Sequence, residues 1–243
     1  MNKSLLVSCS LLAFFIIAFL SLAPAMLEQQ QNQVVDHEPW PVSDVAQSLH
    51  DTLLVGDWHS DSLLWDRDLL TRSDYGHVNF PRLVEGNVAF QGLTAATKVP
   101  AGLNHQSNSA DASDSLTLQA MVQSWPPATW SSIFERAMYQ VQRLQEFETR
   151  APQQVRIIRT PQDIEQVLAM RAQDTKIVGA IMGMEGAHPL EGKLENQNKL
   201  YDAGYRLIGL LHFFDNELGG SLHGESNAGL TEFGKQVVQL AVA

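Results

Sequence analysis

Cysteine is almost missing from this sequence: Cys9 is the single one in 243 residues, and it lies in an apolar N-terminal stretch. With that stretch removed no disulfide can form, even in an oxidising compartment, and thiol catalysis and cysteine-held zinc are both excluded. Any metal must then be held by histidine and carboxylates. Basic residues are also scarce. Sixteen Lys and Arg against 27 Asp and Glu give a formal charge of −11, and no basic cluster occurs. Nucleic acid is therefore no partner, because phosphate binding needs a concentrated Lys/Arg surface. Neither a P-loop nor a strand-linked G-x-G-x-x-G is present, so nucleotide binding has no support. Gly224-Glu225-Ser226-Asn227-Ala228 only approaches the G-x-S-x-G nucleophile elbow, ending in alanine with no strand before it, which argues against a serine hydrolase.

What is present suits a folded domain: 44% of residues are hydrophobic and 18% charged. The N-terminus stands apart. Lys3 supplies a positive start, Leu5 to Leu22 is apolar and broken only by serines, and Ala23-Pro24-Ala25 offers small residues for cleavage. Residues 1–25 read as a secretory signal, with an uncleaved membrane anchor as the alternative, since roughly 18 apolar residues suffice to span a bilayer. Either way the body is expected to be exported, in the periplasm or anchored facing it. Residues 26–40 are expected as a polar linker, Gln-rich from Glu28 to Val35, ahead of a folded body at 41–243.

In the body, short apolar runs alternate with helical patterns, as βα units of a parallel sheet do. Four strands are expected: Leu53–Gly56, Val88–Leu93, Ile177–Met182 and Leu207–Leu211. Ile133 to Phe147 has helical periodicity, Thr160-Pro161 starts a helix with a cap and an N1 proline, and Asn196–Ala203 is closed by Gly204. Asn104 to Ser115 reads as a surface loop, and Trp125-Pro126-Pro127 as a turn packing an aromatic. Each strand delivers a polar or titratable group at its C-terminal end, which favours the front part of a (β/α)8 barrel over an open doubly wound sheet. A full barrel takes about 250 residues, more than remain here after the leader, so the barrel reads as truncated after about four strands.

The chemistry gathers at those strand ends. His59 and Asp61 are two apart in an extended segment, so their side chains point to one side and are able to grip one ion. Glu185 projects from the end of an independent strand, flanked by Gly183 and Gly186, and a carboxylate there is suited to bridging two metals. A strand-end Glu paired with an Arg is the plainer reading. His212 is either a half-buried histidine satisfied by backbone or a donor aimed at the oxyanion of a tetrahedral intermediate. His188 is placed to steady a neighbouring ligand, though its spacing does not demand it.

Asp57-Trp58-His59-Ser60-Asp61, Met184-Glu185-Gly186-Ala187-His188, Leu210-Leu211-His212-Phe213-Phe214-Asp215-Asn216 and Gly229-Leu230-Thr231-Glu232-Phe233-Gly234, in that order, resemble the membrane dipeptidase (renal dipeptidase) family. Leu83 to Gln91 also looks like that family's second-strand segment. The resemblance implies a TIM-like barrel with a binuclear zinc centre that hydrolyses dipeptides. It makes His59 and Asp61 ligands of the first zinc, Glu185 the ligand shared by both, and His212 the group that contacts substrate and supports the tetrahedral intermediate. It also implies two histidines for the second zinc, then an arginine and an aspartate that handle substrate, beyond the last matching motif. None has a counterpart before Ala243, and His223 lies too early to replace one. The resemblance thus implies a fragment, of which full activity is not expected. An inactive half-barrel that binds or assembles at the membrane, or self-associates, is one alternative. A mononuclear amidohydrolase-like enzyme using only His59, Asp61 and Glu185 is another.

Overall fold

The computed structural model of the protein describes residues 3–242. Helix α1 spans Lys3–Gln31 and α2 Asp44–Asp51, before strand β1, Val55–Asp57. Then come α3 (Phe80–Glu85), β2 (Val88–Ala96), α4 (Ser115–Val122), α5 (Ile133–Arg150), β3 (Val155–Ile157) and α6 (Pro161–Arg171). The chain continues through β4 (Val178–Glu185), α7 (Leu194–Ala203), β5 (Tyr205–Ile208) and α8 (Glu232–Ala241). Of the leader, the side chains of Lys3, Ser4, Leu5, Leu6, Ile16, Ile17 and Leu20 lie outside the described residues, as do Met1, Asn2 and Ala243. Among the described residues no helix is long and apolar enough to cross a membrane.

All strand pairs are parallel, in the order β1-β2-β4-β3 with β5 also on β4. The last two share one edge: β3 pairs with Val178–Ala180 at the start of β4, and β5 with Met182–Met184 near its end. The sheet therefore has five strands where four were expected. The additional one, β3, contributes only three residues, too few to show a period in sequence. The α/β class with parallel strands and intervening helices is as expected.

Register sorts the two faces. Leu93 and Ala95 of β2 lie beside Met182 and Met184 of β4, and these four residues join Ala137, Val141 and Leu144 of α5 in the main core. The alternate residues, Phe90, Gly92 and Thr94 beside Gly179, Ile181 and Gly183, line the opposite face. Because side chains alternate along a strand, Glu185 falls on that second face, opposite the core built on α5.

Local signals explain the helix starts. Ser132 caps α5 by accepting from Glu135 N, and Thr160 and Asp163 form a reciprocal capping box on α6. Gly204 closes α7, at φ 121°. Asp114 ends the irregular segment after β2 and caps α4. Trp125 is buried against Tyr139, ring centroids 4.9 Å apart. The expected tether differs: α1 stays helical through Gln31, and its Glu28 is buried in an ion pair with Arg67. A Gln-rich composition does not reveal one carboxylate with a specific partner.

Candidate metal centre

Because the strands are parallel, their C-terminal ends collect on one side of the sheet. His59 and Asp61 leave the end of β1, Glu185 is the last residue of β4, and His212 follows β5 by four residues. One donor atom from each of His59, Asp61 and Glu185 lies within 4.8 Å of the other two. His59 Nε2 is 3.5 Å from Asp61 Oδ2 and 3.3 Å from Glu185 Oε1. His212 Nε2 is 3.0 Å from the same Glu185 oxygen. All four expected site residues are thus brought together, and the Glu185 partner is histidine where the plainer reading had arginine.

Neighbours hold the donors in place. Thr94 Oγ1 donates to Asp61 Oδ1 at 2.5 Å, and Thr94 N donates to Ser60 O at 2.9 Å. Asp57 accepts from His59 N at 3.2 Å, and its other carboxylate oxygen accepts from the buried Gln91 amide at 3.1 Å. The loop crosses β2 at Gly92, where a Cβ would run into the Trp58 carbonyl. Behind Glu185, Gly186 has φ 79°, and a Cβ there would sit 3.0 Å from His212 Cβ. Such contact in a left-handed backbone leaves glycine as the residue that fits.

Charge in the cluster is uneven. Burial and the neighbouring Glu185 charge raise the Asp61 carboxyl above its ordinary range. Burial also acts to raise Glu185, but the hydrogen bond from His212 and the positive charges of His212 and His59 outweigh it, and its carboxyl lies below the usual value. One imidazole and two crowded carboxylates make a donor set that suits a divalent ion of the zinc type, and a cation among them would relieve the repulsion that raises Asp61. The residues present fit one such ion.

His188 does not reach the cluster by hydrogen bonding. It is 4% exposed, with Nε2 unpartnered and its ring edge-on to Phe214 at 5.7 Å. Burial, then the charges of Lys98 and His212, push it down to about 4, so it is neutral at ordinary pH. The serine of the near-elbow, Ser226, lies in a loop that wraps the Asp215 carboxylate, to which its backbone N–H and its side chain both bond. Sequence reasoning missed Thr94 and Gln91 as supports of the site. Gln91, a lone amide in the apolar run of β2, was the one readable signal.

Parallel strands that gather histidine and carboxylate donors at their C-terminal ends place this cluster where α/β barrels build their sites. The model of the membrane dipeptidase family (peptidase family M19) matches residues 43–242, and the chain belongs to that family. Among solved structures, a probable dipeptidase, PvdM, from Pseudomonas aeruginosa shares the fold at TM-score 0.57 and 18% identity, over 80% of this chain and 45% of that one. A metallopeptidase from Rhodobacter sphaeroides, bound to a phosphinate mimic of the dipeptide L-Ala-D-Ala, does so at TM-score 0.53 and 24% identity, over 78% and 56%. The dipeptidase AC, a metallopeptidase, gives TM-score 0.52 and 23% identity, over 78% and 53%. The chain thus spans about half the length of the structures it resembles. No curated protein sequence matches it.

Proposed function

We propose that this chain is the metal-binding front part of a zinc-dependent dipeptidase, in which His59, Asp61 and Glu185 hold the first ion and Glu185 extends to a second. The observation that carries the reading is the convergence of those three donors at two separate strand ends in a chain of this family. Bound there, zinc supplies Lewis acidity toward a peptide carbonyl and water activated at neutral pH.

The chain's own residues prepare that chemistry. Glu185, held anionic, offers its carboxylate oxygens, and a cation between the two carboxylates would offset the Glu185 charge that helps raise the Asp61 carboxyl. Thr94 keeps Asp61 turned toward the cluster. His212, whose Nε2 lies 3.0 Å from Glu185 Oε1 at the edge of the cluster, would be the donor available to a developing oxyanion there. Dipeptides are the substrate class, and the leader directs the protein across a membrane, with its body in the periplasm or held at the membrane facing it. Two ions serve the complete enzyme, whose second site takes ligands from outside the residues described.

The test is zinc content and dipeptide hydrolysis by the full chain and its Glu185→Gln variant. Bound zinc that is lost in Glu185→Gln supports the centre, and zinc retained by the variant would sink it. Zinc binding without hydrolysis favours the inactive binding or assembly module, since one cluster alone then holds metal. Hydrolysis of non-peptide amides with one ion per chain favours the mononuclear amidohydrolase-like reading.

A further inference from the structure

The segment that follows the apolar leader is wired to the metal loop. Pro24 and Glu28, one helical turn apart, form the buried face of the last turns of α1. Glu28 Oε1 lies 3.2 Å from Arg67 Nη1, with side chains 2% and 6% exposed. Asn32 O accepts from Gly76 N at 2.7 Å, which fixes the same segment at a second point. The Gly76 backbone lies so close to the Arg67 guanidinium that any Cβ there would collide with it. Arg67 Nη2 donates to Val78 O at 3.2 Å and to Ser62 Oγ at 3.3 Å. Ser62 Oγ is 2.7 Å from Ser60 Oγ, and Ser60 stands between the two expected ligands. Arg143 of α5 holds the rest of the turn, donating to Leu63 O at 2.6 Å and Arg67 O at 3.1 Å.

A buried ion pair is seldom retained for stability, because desolvation offsets most of the attraction, and its better-attested use is to fix one geometry. Here the geometry fixed is that of the turn leaving His59 and Asp61. We propose that Glu28 and Arg67 are positioning residues of the metal centre: through Ser62 and Ser60 they latch the segment after the leader to the loop that carries two ligands. The inference rests on the zinc reading of that loop. It also gives the leader's boundary a meaning, since a cut after Ala25 leaves Glu28 on the mature chain, whereas loss of a few more residues removes the latch.

The experiment compares zinc affinity, by competition with a chromophoric chelator, and thermal melting without metal, for the full chain, Glu28→Gln, and the double variant Glu28→Leu/Arg67→Met. Glu28→Gln strands a buried guanidinium, so the melting temperature falls, and zinc affinity falls about tenfold, as for other groups that orient a ligand. In the double variant both charges are gone. Melting recovers toward that of the parent, while zinc affinity stays about tenfold weak because the contact to Ser62 is missing. Variants that melt lower yet bind zinc as the parent does, or a double variant that recovers both properties, would overturn the latch and leave the metal centre standing. A parent chain that binds no zinc would overturn both.

Discussion

The two flanks of the site are built to different standards. On the β1 flank each segment around His59 and Asp61 is held from several directions: Thr94 and Gln91 from β2, Arg143 from α5, and Arg67 from within the turn itself. On the β5 flank the strand pairs with β4 alone, and Leu207 and Leu240, each 38% exposed, with Tyr201 at 58%, line an open apolar groove. The contrast teaches that the His59 and Asp61 side of the cluster is braced from several elements, while the flank that carries His212 ends, among the described residues, on an unpaired strand edge. An open edge of this kind invites pairing with further chain or with another molecule.

The largest expected effect tests whether the cradle is one unit. Asp61→Asn removes an anionic donor from the better-held flank, and zinc affinity should drop by about a hundredfold, read by chelator competition. An unchanged affinity would mean that the dense support around β1 serves packing alone. Next comes His188, buried between the flanks. Its folded value of about 4 is below the ordinary 6.5, so between those pH values the unfolded chain keeps a proton that the folded one sheds. Stability should therefore rise from about pH 4 to 6.5 and level off above, by about 3 kcal/mol in all. Denaturant melts across that range measure it, and His188→Gln should flatten the profile.

Gly92→Ala forces the crossing loop away from β2, and a cost of about 2 kcal/mol is expected, with weaker zinc binding in the same variant. Lost stability with intact binding would show that the loop shifts as a rigid piece. The smallest effect belongs to the open flank: Leu207→Lys on the free edge should alter the chemical-denaturation midpoint by no more than about 0.5 kcal/mol of stability. A large loss there would break the comparison, because it would mean that the edge is covered in solution.

The same contrast explains which parts of the fold are legible in the sequence. Strands β2 and β4 were visible because they are long and buried on both faces, which leaves continuous apolar runs. His59, Asp61, Glu185 and His212 were found because each follows such a run or belongs to a motif of fixed order. Strand β3 was hidden by its length, and β5 begins at Tyr205, ahead of the apolar run that announced it. The Glu28–Arg67 pair was hidden for a different reason. Nothing local marks two charges as partners when the fold alone brings them together.

The central pairing of the sheet joins Phe90 with Gly179. During synthesis, then, β1 and β2 leave the ribosome well before β4, and they wait without the neighbour that will cover them. The strand that all the others except β1 lean on arrives after two of its three partners. A molecule assembled this way spends its early life as an open chain, and whatever keeps it from sticking during that interval matters as much to its yield as the contacts it finally makes.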